Sequence, residues 1–217
     1  MNTFVVDTFI TFLDYLGISV FAVTGALVAS RKQMDIVGFA MLASATGIGG
    51  GTLRDLLLGL PVFWVQKPAY VAICLIVAAI VFFTAHIPQS RYRLLLWLDA
   101  LGLAFFCVVG TEISLLAGKP PFIAIIMGVM TATFGGLIRD ILGGEIPIIL
   151  RKEIYATAAL LGASVFTGLW AFGLPGKLAT LCGFLACFSL RALALQWGWS
   201  LPAYRARPGR SPDELGL

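Results

Sequence analysis

Charge is scarce in this sequence. Asp, Glu, Lys and Arg make up 12% of its 217 residues, where soluble domains carry about 25%. With a mean hydropathy of +0.97, that shortage excludes a soluble domain and leaves an integral membrane protein. Histidine occurs once, as His86, and cysteine only as Cys74, Cys107, Cys182 and Cys187. No Cys–His pair, zinc spacing or nucleotide loop results, so the chain does not read as an enzyme and no cofactor is expected. The cysteines all fall in apolar runs, where a thiol normally serves as a small apolar packer. Basic residues near the N-terminus are missing as well: the first run follows Asp7 and is interrupted by Asp14. A signal peptide needs a positive leading segment. The run is therefore expected to be retained as a span, with the mature chain beginning close to Met1.

Apolar stretches of spanning length, about 20 residues, occur near Ile10–Ser30, Ile36–Leu57, Ala69–His86, Leu94–Leu116, Pro121–Leu142, Ile154–Phe172 and Lys177–Trp197. Loop charges orient them. With the N-terminus outside, the inner side receives Arg31, Lys32, Arg91, Arg93, Arg151, Lys152, Arg205, Arg207 and Arg210, and the outer side only Lys67, Lys119 and Lys177. The expected product is a multi-pass protein of the inner (plasma) membrane with a cytoplasmic C-terminus. Its pI near 9.0 then reflects anchoring charge, since a nucleic-acid groove needs soluble surface that this chain lacks. Phe63 and Trp64, and Trp197 and Trp199, fall at expected interfaces, as an aromatic belt requires.

Identities recur at one fixed offset of 85, among them Asp14/Asp99, Gly17/Gly102, Phe21/Phe106, Gly25/Gly110, Thr46/Thr131, Gly50/Gly135, Gly51/Gly136, Arg54/Arg139, Asp55/Asp140, Gly59/Gly144, Lys67/Lys152 and Tyr70/Tyr155. What recurs is glycine and charge inside apolar runs, where such residues are expensive. The expected fold is all-α: seven transmembrane helices, arranged as two three-helix repeats and an unpaired seventh. Residues 1–89 form the first repeat, 90–174 the second, 175–198 the seventh helix, and 199–217 a disordered cytoplasmic tail. An odd number of spans per copy makes the second repeat insert inverted.

The second span holds Gly49-Gly50-Gly51 ahead of Arg54-Asp55, and the fifth holds Gly135-Gly136 ahead of Arg139-Asp140. Each glycine in a helix costs about 1 kcal/mol against alanine. Clustered, they invite a break that lines water and offers carbonyls to a cation. The alternative is close helix packing, for which Gly47 and Gly51 form a GxxxG pair. On helical spacing Thr46, Gly50 and Arg54 share a row, repeated by Thr131, Gly135 and Arg139, so both threonines are expected to face the pore. Depth along the spans predicts ion pairs Asp14–Arg54 and Asp99–Arg139, which either gate or merely lock helices together. Glu112 and Glu145 fall near span ends, where water reaches them.

At these residues the chain resembles the prokaryotic branch of the trimeric intracellular cation (TRIC) channel family, which overlaps a group of bacterial membrane proteins described as glycine transporters. The resemblance covers nearly the whole chain and rests on Gly49, Gly50, Gly51, Arg54 and Asp55 with Gly135, Gly136, Arg139 and Asp140; Phe134 stands where Gly49 does. It implies a homotrimer in membrane lipid with a water-filled pore in each protomer. Kinked second and fifth helices would line that pore, which passes monovalent cations, potassium or sodium and chiefly the former. Arg54, Asp55, Arg139, Asp140, Asp14 and Asp99 would then be pore or gating charges. The main reading is a potassium-permeable channel. The alternative is a secondary transporter of a small zwitterion such as glycine, because a half-helix N-terminus suits a carboxylate equally well. A purely structural membrane protein would show packing faces without hydrated cavities.

Overall fold

The structure is a computed structural model and describes residues 8–88 and 90–202. Among these it contains eight α-helices: α1 (Thr8–Arg31), α2 (Ile36–Leu58), α3 (Phe63–Gln66), α4 (Ala69–Thr84), α5 (Arg91–Leu116), α6 (Pro121–Leu142), α7 (Ala156–Ala171) and α8 (Gly176–Trp197). Seven of them coincide with the seven apolar runs, and α3 is an additional turn of four residues. Five are long and apolar enough to cross a membrane, namely α1, α2, α5, α6 and α8. Helices α4 and α7 have 16 residues each, about 24 Å of helix against a hydrocarbon core of about 30 Å. The protein is an all-helical, multi-pass membrane protein. Large apolar side chains such as Val37, Met41, Phe83, Phe122 and Leu178 cover its exterior, as a lipid-facing surface requires.

Local signals set the helix ends. The Asp35 carboxylate accepts from the Gly38 amide at 2.8 Å and caps α2, and Ser90 caps α5 through the Arg93 amide. Pro121 opens α6, where its missing N–H is no loss. Beyond α8, Ser200 pairs with Glu153 in an isolated antiparallel bridge, and the Leu201 amide donates to the Lys152 carbonyl. The first residues of the expected disordered tail are thus held against the loop before α7. Residues 203–217 lie outside the described residues.

The expected helix breaks are absent. Both α2 and α6 are helical without interruption through their glycines, and these glycines serve helix crossing instead. A Cβ added at Gly135 would sit 2.5 Å from the Thr46 carbonyl oxygen, and one at Gly50 would strike the Thr131 carbonyl oxygen harder still. The same reciprocity joins α1 to α5. A Cβ at Gly17 would meet the Phe106 ring, and one at Gly102 the Phe21 ring, while the two rings stack edge-on at 5.0 Å. Residues that are mates at the 85 offset therefore touch each other or exchange partners, which is the signature of a two-fold relation. Thr46 meets Gly135 and Gly50 meets Thr131, so α2 and α6 run antiparallel. Their C-terminal ends, carrying Arg54 and Arg139, lie about 18 Å apart along the helix axes at 1.5 Å per residue.

Backbone contact of this kind leaves no room for a side chain. Gly50→Ala and Gly135→Ala are expected to lower stability by roughly 1–3 kcal/mol, the usual cost of overpacking. A Cβ at Gly168 on α7 meets nothing within 4 Å, so Gly168→Ala should leave stability unchanged or raise it. Thermal unfolding in detergent checks this: equal melting temperatures for all three variants would refute the crossing role.

Candidate functional site

Each Arg-Asp pair ends a helix and organises the chain that follows, and the two do so bond for bond. Arg54 Nε donates to Asp55 Oδ1 at 2.8 Å, and Arg139 Nε to Asp140 Oδ1 at 2.8 Å. The second carboxylate oxygen reaches eight residues ahead. Asp55 Oδ2 accepts from the Phe63 amide and Asp140 Oδ2 from the Ile148 amide, both at 2.9 Å. To return that far the chain must turn sharply, and it does so at Gly59 and Gly144, whose φ values of 70° and 63° favour glycine. The aspartates therefore satisfy a buried guanidinium and cap the start of the next short turn at once. Such double use is what makes a buried ion pair tolerable.

Around the first pair lies a cavity of about 400 Å³, lined by Thr11, Asp14, Arg54, Asp55, Lys67 and Tyr70 among others. Exposed Pro61, Gln66 and Lys67 mark its mouth. Asp14 stands beside the Tyr70 hydroxyl, and the Arg54 guanidinium lies 5.8 Å from the Phe63 ring centroid. The expected Asp14–Arg54 ion pair is corrected here. Arg54 pairs with Asp55 at 2.7 Å, its neighbour in sequence, and Asp14 shares the cavity without bridging to it.

The second pair is sealed. Arg139 Nη1 reaches Asp99 Oδ1 at 2.6 Å, with both side chains fully buried, so the expected Asp99–Arg139 pair is present. The same nitrogen donates to Thr24 Oγ1 of α1 at 3.0 Å. Asp99 Oδ2, Arg139 Nη2 and the Tyr155 hydroxyl remain buried without hydrogen-bond partners, and a Cβ at Gly136 would lie 3.0 Å from that hydroxyl. Thr46 and Thr131, expected to face the pore, are buried in the helix contacts. Their hydroxyls donate back to the Leu42 and Met127 carbonyls, as threonines inside helices commonly do. The other glycines of the motif contact side chains: a Cβ at Gly49 would meet Ile138 and one at Gly51 would meet Phe63.

Glu112 and Glu145 are less wet than their positions implied. Glu112 is buried and accepts from Thr180, and Glu145 pairs with Arg31 at 2.7 Å. Sequence reasoning missed Arg191, which is buried in α8 and paired with Glu153 at 2.7 Å. An arginine six residues inside an apolar run was signal enough. Tyr70 and Tyr155 were visible as repeat mates, but nothing in the sequence aimed them at Asp14 and Asp99. Thr24 carried no signal at all, because its mate at the 85 offset is Val109.

A family model described as "Glycine transporter" matches residues 11–86 and again 96–171, so the family unit is itself one repeat, matched twice at the 85 offset. A membrane protein of Vibrio cholerae, UPF0126, is 42% identical over 204 residues, covering 91% of this chain and 84% of the relative. The inner membrane protein YadS of Escherichia coli is 38% identical, with 88% and 94% covered. Among solved structures, the TRIC trimeric intracellular cation channel orthologue from Rhodobacter sphaeroides superposes with a TM-score of 0.87 at 62% identity, covering 89% of this chain and all of that one. The chain, which the glycine transporter model also matches, belongs to the prokaryotic TRIC channel family.

Proposed function

We propose that this protein is a potassium-permeable channel of the inner membrane, assembled as a homotrimer with a pathway inside each protomer. In this reading seven helices span the membrane, α1, α2 and α4 inverted with respect to α5, α6 and α7, with the N-terminus outside and the C-terminus cytoplasmic. The antiparallel crossing of α2 and α6 supports the inversion, because it sends Arg54 and Arg139 to opposite faces. The observation that carries the reading is the contrast between the two sites. One opens on a cavity walled by Asp14 and Asp55, and its copy across the crossing is buried and plugged by Arg139. A conduction path with a wet outer vestibule and a shut inner half has this form. Carboxylates in the vestibule raise the local cation concentration.

Arg139 is the plug in this reading. Its removal strands the buried Asp99 carboxylate, a loss of about 3–5 kcal/mol where one partner of a buried pair is deleted. Arg139→Ala is expected to change open probability, to lower the melting temperature, or both. Unchanged currents together with unchanged thermal stability would overturn the assignment.

One observation favours a second reading. The vestibule brings Asp14 and Asp55 together with Arg54 and Lys67, a set that matches both ends of a small zwitterion, and an alternating-access transporter would use it so. Purified protein in a planar bilayer under a potassium chloride gradient separates the two. Unitary currents reversing near the potassium potential are expected, and Asp14→Asn and Asp55→Asn should reduce them. A silent bilayer from folded protein, with glycine uptake into proteoliposomes, would replace the channel by the transporter.

A further inference from the structure

We propose that the open cavity beside Arg54 is a binding site for a small betaine, a molecule carrying a quaternary ammonium at one end and a carboxylate at the other. This names a ligand for the vestibule of the reading above and rests on that cavity opening to the outside. The duplication supplies the comparison. Both repeats keep an aspartate, an arginine and a tyrosine at this place, as Asp14, Arg54 and Tyr70 and as Asp99, Arg139 and Tyr155. Where the repeats part, the first is the aromatic one. Tyr15 and Phe63 stand where the second repeat has Ala100 and Ile148, and Thr11 stands where it has Leu96.

These differences gather at the cavity. Phe63 and Tyr70 line it, with ring centroids 4.8 Å apart and ring planes at 80°, and Tyr15 backs Tyr70 at 4.5 Å. Asp14 is buried beside the Tyr70 hydroxyl. Arg54 also lies near Phe63, but its charge is met by Asp55 at 2.7 Å. Among the described residues no basic side chain comes within ion-pair distance of Asp14, so its carboxylate is the one in the cavity that lacks a cation. Leu60 and Ile113 add apolar lining, packed with Val109 and Leu13. Lys67 stands exposed at the mouth.

This lining selects among cations. Aromatic rings beside a carboxylate are the surroundings that hold quaternary ammonium ions. The primary ammonium of glycine brings three N–H donors, and a donor left unmet in a buried site costs its desolvation. Acceptors are few here, since both oxygens of Asp55 are engaged by Arg54 and the Phe63 amide. A trimethylammonium brings no donor, and its methyl groups suit rings, leucine and isoleucine. The carboxylate of the same ligand is left for Lys67 at the mouth. A volume of about 400 Å³ falls within the range of small-molecule cavities, about 300–1,000 Å³.

Equilibrium dialysis of radiolabelled trimethylglycine, choline and glycine against the full chain in lipid nanodiscs tests this. Trimethylglycine is expected to bind about tenfold more tightly than glycine, the scale of one desolvated cation–π contact. Phe63→Leu should lower its affinity by a similar factor, Phe63→Tyr should keep it, and Asp14→Asn should weaken trimethylglycine and choline alike. Lys67→Gln should weaken trimethylglycine and leave choline unchanged. No binding of trimethylglycine, or equal binding of glycine, overturns the proposal on the wild type alone, whether or not the variants fold. Binding that folded Phe63→Leu leaves unchanged overturns it too. In the planar bilayer, trimethylglycine on the outer side is expected to reduce the unitary current. Selective binding in a protein that carries no current leaves the site standing and refutes the channel. Potassium currents from a protein that binds no trimethylglycine do the reverse.

Discussion

The contact on which the rest of the molecule depends is the approach of two backbones where α2 and α6 cross. Gly50 lies against the Thr131 carbonyl and Gly135 against that of Thr46, a separation that no side chain permits. Water is not squeezed from between such helices in lipid, where tails are as apolar as leucine, so close van der Waals contact has to hold them. Small residues supply it. The crossing fixes where each helix ends, and those ends carry the only arginines on α2 and α6. Moving the crossing by a single turn would carry both arginines about 5 Å along the axis and out of register with Asp99, Thr24 and the cavity.

Around that crossing, charge is placed with little redundancy. Asp55 and Asp140 each use one oxygen to neutralise the adjacent arginine and the other to accept from an amide eight residues on. A buried carboxylate with both oxygens occupied is far less costly than a bare one. The dual role also couples electrostatics to shape, since the loop that walls each site is held by the same side chain that holds the guanidinium. Asp14 and Asp99 are the cavity-lining and fully enclosed versions of one buried residue. Asp14 faces a cavity beside Tyr70, and Asp99 is clamped under Arg139 with its second oxygen unpartnered. The two halves differ less in their charges than in what the neighbouring helix offers those charges.

How far the site was legible follows from the range of the interactions. Arg54-Asp55 and Arg139-Asp140 stand out because charge in an apolar run must be compensated, and the Asp99–Arg139 pair followed from depth along two spans. The Asp14–Arg54 pair did not form, although the same depth argument applied. Arg54 pairs with the adjacent Asp55, whereas Arg139 bonds both its adjacent Asp140 and the distant Asp99, and depth along a span does not distinguish the two cases. Thr46 and Thr131 shared a helical row with the arginines. A shared row says nothing about whether a hydroxyl turns outward or back to its own helix.

What the sequence determined by itself was the duplication, the membrane class and the places of the Arg-Asp pairs. Composition and the repeat offset are properties of the chain alone. Only the tertiary structure decided that the glycines would be crossing points rather than breaks. The deciding contact is a carbonyl on another helix, 85 residues from its own counterpart, and no local rule places it. The same holds for the inequality of the two sites. Thr24 and Val109 look unremarkable in apolar runs, and they acquire meaning only when folding sets one against a guanidinium and the other against leucine and isoleucine.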